Sequence, residues 1–483
     1  MLKWLNNNIN KIGIVFIVSI TSYFFLIENL AATRVLAAIL LMTIISFLVL
    51  NSKKIAIYSI IALAPISIPV YIEVLSLKLS FPSEFITVLL IITMGSSYFI
   101  NEKLEKKIIF HPISILLLSD LFFTLIAATF STMPLISFKR LLLKIGFIAI
   151  YYFVFSHWYK KSEKRSSLFF LYAIGLIYPI YSTLKWHSLQ DFSVASSFAM
   201  PQPFFSDHTI YGACLAFVLP FLFTWLVMKY KEKSNWFIPV LLLTILIFTA
   251  EILAYSRAAW ISLLVIVLFR FLLNFKLKIN HIIIALTLMT AGVAYNYDNL
   301  YDSIRQQDQQ KEEKENLTNH LSTVTNLQTD ASNLERINRW TCAYRMFAER
   351  PFVGFGPGTY QFQYGQFQSV DLMTRISTNE GNRGHAHSEY FTYLAEVGIF
   401  GLLVFLTLVL YSIHIGLKCY YFFQQDKTKR MLIFGALGGL ITFYVHGLFN
   451  GFIDYEKMAI LVYGSLAILI TFDIERKAAA SIK

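Results

Sequence analysis

Long apolar runs recur along almost the whole chain, and nothing else in the sequence limits its fold as strongly. They lie near 12–27, 31–50, 55–72, 85–100, 112–130, 138–158, 168–186, 209–228, 235–254, 258–275, 281–295, 389–417, 431–449 and 457–472. Most approach the length that spans a bilayer as a helix. In lipid every backbone amide must be bonded inside its own segment, so gap-free runs read as helices rather than barrel strands. With 56% of its 483 residues hydrophobic, the chain has more apolar surface than a soluble core can hide. The expected fold is all-α: a polytopic helical membrane protein with about 12–14 transmembrane helices.

The formal charge of +12 points at first to a polyanionic partner, but its distribution excludes nucleic acid. Basic residues gather in alternate connections: Lys53/Lys54, Lys103/Lys106/Lys107, Lys160/Lys161/Lys164/Arg165 and Lys229/Lys231/Lys233. The series continues through Lys276/Lys278, Lys427/Lys429/Arg430 and Arg476/Lys477. This is the positive-inside pattern, so the charge sets topology. It places both termini in the cytoplasm and residues 296–388 outside, in the periplasm of a double-membraned bacterium. The first run is followed almost at once by a second, and so reads as an anchor rather than a cleaved signal. Cys214, Cys342 and Cys419 are too scattered for a disulfide framework or a metal site.

Three regions follow: an N-terminal transmembrane bundle (1–295), a large periplasmic loop (296–388) and C-terminal transmembrane helices (389–483). No internal repeat is visible, and no pair of interrupted helices of the kind common in transporters. In the loop, 305–316 is polar. Ser332 with Glu335 reads as a capping box. Leu334, Ile337, Trp340, Tyr344 and Phe347 follow at helical spacing, which predicts a helix over 333–349 ended by Pro351 and Gly354. Gly354-Phe-Gly-Pro-Gly358 is then a turn whose backbone can approach a ligand. The aromatic run Tyr360, Phe362, Tyr364 and Phe367 is expected to lie on head groups or to stack on sugars.

Ionisable groups at the outer helix ends need a reason to be there. Arg257 opens one span; Lys139, Arg140 and Lys144 open another, with Arg140 and Lys144 on one face. Arg336 and Arg339 are one turn apart in the loop helix. Together they would form a cationic pocket suited to a lipid pyrophosphate, because guanidinium groups meet phosphate oxygens through paired donors. Arginines near helix ends also snorkel to head groups without further role. His387 stands where the polar loop re-enters an apolar run, with His385 two residues before it and His208 opening another span. An H-x-H pair with no acidic partner nearby is a weak metal signal, so no metal is expected. Glu396 and His446, inside apolar runs, read as packing groups. No P-loop, dinucleotide fingerprint or nucleophile elbow is present, so no nucleotide cofactor is expected.

His387-Ser388, nine residues, then Gly398-x2-Gly401-Leu402 resembles the signature of the O-antigen ligase and O-antigen polymerase superfamily. That group also includes the bacterial protein O-oligosaccharyltransferases. Arg257 in Ser-Arg-Ala-Ala-Trp-Ile resembles the family's R-x3-L element, with Ile261 in place of Leu. Arg336/Arg339-Trp340, Pro351 and Gly354-x-Gly356-x-Gly358 resemble its outer-loop pattern, and Asp207-His208-Thr209 through Gly212 and Pro220 its loop-to-helix segment. The resemblance covers roughly residues 200–450.

The resemblance implies a metal-independent, inverting glycosyltransferase. Its donor would be a glycan on undecaprenyl pyrophosphate. Arg257 and a loop arginine, Arg339 first, would hold the pyrophosphate, and His387 would act as general base. Arg336, Arg140, Lys139, His208 and His385 are the further candidate substrate-binding residues. The leading expectation is ligation of O-antigen to lipid A-core in the inner membrane, with the site facing the periplasm. Polymerisation on another lipid-linked repeat, or transfer to a protein Ser or Thr, would share the donor chemistry. A transporter of lipid-linked oligosaccharide would instead spread its charges along a central path. Here they collect on one face.

Overall fold

The computed structural model describes residues 53–72, 77–100, 105–160, 162–295, 323–373, 377 and 385–481. The expected spans 12–27 and 31–50 and the polar stretch 305–316 lie outside these residues. The longer elements are α1 (Lys53–Leu63), β1 (Ile68–Ile72), β2 (Leu77–Phe81), α2 (Ser83–Ile100), α3 (Pro112–Thr129), α4 (Pro134–Trp158) and α5 (Ser167–Ser188). They continue with α6 (His208–Lys231), α7 (Phe237–Leu253), α8 (Arg257–Leu272), α9 (Ile279–Tyr295), α10 (Thr323–Glu349), α11 (Glu389–Phe422), α12 (Lys427–His446) and α13 (Glu456–Ala480). Among the described residues eight helices are long and apolar enough to cross a membrane: α3 to α6, α8 and α11 to α13. The protein is an all-α polytopic membrane protein.

One expected span is corrected. Residues 55–72 do not form a single helix: α1 stops at Leu63, and the chain turns into an antiparallel hairpin that pairs Ile68 with Phe81 and Ile72 with Leu77. Pro65 and Pro69 each remove a helix donor, and the β-branched residues around Pro69 favour an extended backbone. Hydropathy cannot register that change. Elsewhere the boundaries follow local chemistry. Pro112 and Pro134 stand at helix starts, where the missing N–H costs nothing. Asp207 caps α6, its Oδ1 accepting the Thr209 amide at 2.8 Å, and Asp426 caps α12.

α13, α12 and α6 form the centre, with 89%, 78% and 72% of their most apolar windows buried; α8, at 33%, lies at the periphery. Gly435, Gly438 and Gly439 let α12 close on Phe221, Pro220 and Phe217 of α6. Such small-residue faces are how helices approach in lipid.

The connections that bear no basic run meet at one face. Lys457 Nζ donates to the carbonyls of Pro65 at 2.9 Å and Ser67 at 2.7 Å, tying the hairpin to α13. Thr132, between α3 and α4, donates to Phe355 at 3.0 Å. Tyr255 reaches Phe192 at 3.1 Å, and Glu389 donates to Gly447 at 2.8 Å.

Candidate functional site

The site is built where the polar segment ahead of α11 docks onto the helices. α10 runs unbroken from Thr323, so the expected capping box at Ser332 is a correction: the helix begins nine residues earlier. Glu335 instead pairs with Arg339 at 2.7 Å and accepts a hydrogen bond from Ser377. A buried guanidinium one turn away is a stronger partner for that carboxylate than a backbone amide.

The glycine-rich turn serves α11. Inside α11, Gly398 has φ +79° and breaks the helix, a conformation that favours glycine. The break leaves backbone groups without helical partners, and the turn supplies them. Phe355 donates to Ala395 at 3.0 Å, Gly356 to Glu396 at 2.9 Å, and Ile399 to Pro351 at 2.9 Å. A Cβ on Gly398 would lie 2.5 Å from the Phe352 carbonyl oxygen, and one on Gly354 2.5 Å from that of Glu396. Glu396 completes the clamp: its carboxylate accepts the amides of Gly358 at 2.7 Å and Tyr360 at 2.9 Å. The close backbone approach expected of this turn is made to α11.

The aromatic run is only partly at the surface, where Phe362 is exposed. Tyr360 and Tyr364 are buried and stacked, 5.4 Å between centroids, and Tyr360 donates to the Arg339 carbonyl at 2.8 Å.

His387 sits just before the cap of α11, at φ +50°. Its carbonyl accepts from Trp340 Nε1 at 3.3 Å, and Trp340 stacks on Phe391. Its amide donates to His385 Nδ1 at 3.0 Å. Burial pushes the His387 imidazole well below its usual range, with His385, Arg339 and Arg336 adding to the shift; burial takes His385 down to about 4. Both rings are therefore neutral at neutral pH. The Asn450 amide lies beside the His387 ring. Yet His387 Nδ1, Asn450 Nδ2, both His446 nitrogens and His208 Nδ1 are buried without a hydrogen-bond partner among the described residues. Buried polar atoms are nearly always bonded, so this cluster is shaped for water or a ligand.

Arg336, like Arg339, bears on the His387 ring. Its pKa falls to about 10, through burial first and then the nearby Arg257 charge. The Arg257 and Arg336 charges therefore act on one another. Arg339, one turn on, is differently placed: buried, paired with Glu335, 4.7 Å over the Tyr364 ring, and donating to the His385 carbonyl at 3.2 Å.

The expected cationic pocket is in fact of mixed charge. Arg140 faces Asp454 at 3.5 Å, and Lys144 is buried against Asp120 at 2.7 Å. A cavity of about 290 Å³ adjoins His385, lined by Arg140, Glu389, Glu396 and Asp454 among others. Lys139 does not line it. Sequence reasoning missed His446, which it assigned to packing, and the carboxylates Glu389 and Asp454. A histidine in the last turn of an apolar helix was the available signal for His446.

A polytopic helical membrane protein with an imidazole and arginine cluster at one face defines the class. Residues 241–406 match the family model described as O-antigen ligase. That segment runs from α7 into α11 and contains Arg257, Arg336, Arg339, His385 and His387, while Lys139, Arg140 and His208 lie outside it. The match supports the O-antigen ligase and polymerase superfamily and, with it, a glycosyltransferase-type membrane enzyme. No curated protein matches the chain.

Proposed function

We propose that the protein transfers a glycan from undecaprenyl pyrophosphate to an acceptor hydroxyl, and that the acceptor is lipid A-core. The observation that carries this reading is the set of unpartnered buried nitrogens around His387 beside the Arg336 and Arg257 charges. Neutral His387 takes the proton of the acceptor hydroxyl as general base. The hydroxyl oxygen bonds to the anomeric carbon from the face opposite the pyrophosphate, and the configuration inverts. The anomeric carbon–oxygen bond breaks, its electrons leaving with undecaprenyl pyrophosphate. Arg257 and Arg336 stabilise that leaving charge. Arg339, already paired, positions His385 and thereby His387. Arg140 and His385 border the neighbouring cavity, where the acceptor enters. The chemistry takes place at the periplasmic face of the inner membrane and uses no metal.

The test is deletion of the gene in its host, with surface glycans resolved on a gel. Loss of the ladder on lipid A-core, with long polymer retained on undecaprenyl pyrophosphate, supports ligation. A single repeat left on lipopolysaccharide makes the protein a polymerase instead. An unchanged ladder sinks both and turns the search to glycoproteins.

A further inference from the structure

At the opposite end of the bundle α6, α8, α11 and α12 enclose a groove of about 600 Å³. His208 and Lys231 are the two ends of α6, a 24-residue helix about 35 Å long, so the groove is remote from His387. Its wall is apolar, with Phe223, Val227 and Val267 exposed along it and Ile266 and Phe434 behind. Its rim carries Lys231, Arg270, Lys427 and Arg430. The one rim carboxylate, Glu232, is paired with Lys229 at 2.7 Å. No ion pair joins any of the four cations to a carboxylate among the described residues.

Each guanidinium lies over an aromatic ring. Arg430 lies 4.5 Å over the Tyr420 ring and Arg270 5.9 Å over Phe434. Arg430 Nε is buried and has no hydrogen-bond partner among the described residues. A basic cluster that only fixed topology would snorkel outward. Here the cations converge at the mouth of an apolar groove. Basic pockets between helices on this face suit anionic headgroups.

We propose that the groove is a binding site for an anionic phospholipid of the leaflet that bears the basic connections. One acyl chain lies along Phe223, Val227 and Ile266, and the phosphate is held by Arg270 and Arg430 with Lys231 and Lys427 at its edge. The assignment does not depend on the role of His387.

The test is to purify the full chain in detergent and measure which lipids it retains by native mass spectrometry. Thermal unfolding is then followed with added phosphatidylglycerol, phosphatidylcholine of the same chains, or inorganic phosphate. The expected result is selective retention of phosphatidylglycerol and a rise in Tm with that lipid alone. Arg270→Gln/Arg430→Gln should weaken retention about tenfold or more. Lys276→Ser/Lys278→Ser, in another basic connection, should leave it unchanged. If the arginine variant does not fold, Lys231→Ser/Lys427→Ser, at exposed positions, carries the test. Equal retention of phosphatidylcholine overturns the proposal, as does equal loss in the Lys276/Lys278 variant. An equal rise in Tm with inorganic phosphate makes this a phosphate site and overturns the lipid assignment.

Discussion

The imidazoles of His385 and His387 meet edge to face, with centroids 4.9 Å apart, and His385 Nδ1 accepts the His387 backbone amide at 3.0 Å. The pair holds His387 in its left-handed backbone conformation, with its Nδ1 among unpartnered groups. His385 thus acts on His387 through the backbone. His385→Asn, which retains a side-chain acceptor, should keep more activity than His385→Ala. Both should lower kcat more than they raise KM for donor. Equal loss in the two variants would argue against the positioning role.

His387→Ala should lower transfer about 10²–10⁴-fold, the usual worth of a positioned general base, with expression unchanged. Transfer is read as glycan moved from a lipid-linked donor in proteoliposomes. Full activity in that variant would remove the base from the mechanism.

Arg336 and Arg339 should separate by assay. Arg336→Gln should raise KM for the lipid-linked donor or lower kcat. Arg339→Ala should act on folding, because it leaves the buried Glu335 carboxylate without its cation. Breaking such a pair costs about 3–5 kcal/mol. A stable Arg339→Ala whose KM for the donor rises while its kcat holds would return Arg339 to the donor site.

Gly398→Ala should destabilise the fold by about 1–3 kcal/mol through its left-handed backbone alone, before its Cβ meets Phe352. The docked turn should loosen with it, which limited proteolysis near 351–360 would report. Wild-type protection there would mean that α11 tolerates the side chain.

The pH dependence follows from the two lowered imidazoles. His387 is deprotonated well below 6.5, so kcat/KM should hold its plateau from about pH 8 down to about pH 6. A fall centred on pH 6.5 would contradict a buried neutral base. Stability has a definite sign as well. Between 6.5 and about 4 the unfolded chain binds more protons than the folded one at His385, so this contribution to stability declines as pH falls through that window.

The long helices and the motif around His387 were legible in the sequence. Apolar run length is a one-dimensional quantity, and it suffices because lipid forbids unbonded backbone. The end of α10 at Pro351 was legible for the same local reason. Its start was not: the capping box at Ser332 was a sound local pattern, but an ion pair across one turn claimed Glu335. The hairpin at 68–81 escaped hydropathy, which weighs side chains and not the proline-imposed loss of amide donors.

What the sequence determined by itself is therefore a many-helix membrane protein with imidazole and guanidinium chemistry gathered on one face. Only the tertiary structure decided which of those groups are already satisfied. Lys144 meets Asp120, Arg140 faces Asp454 and Arg339 is spent on Glu335, each through a partner far away in the chain or one turn along a helix. Arg336 lies near Arg257, and His446 joins His387 among the unpartnered buried nitrogens. Charge and histidine content are written residue by residue. Whether a buried polar group has a partner depends on distances that only packing sets.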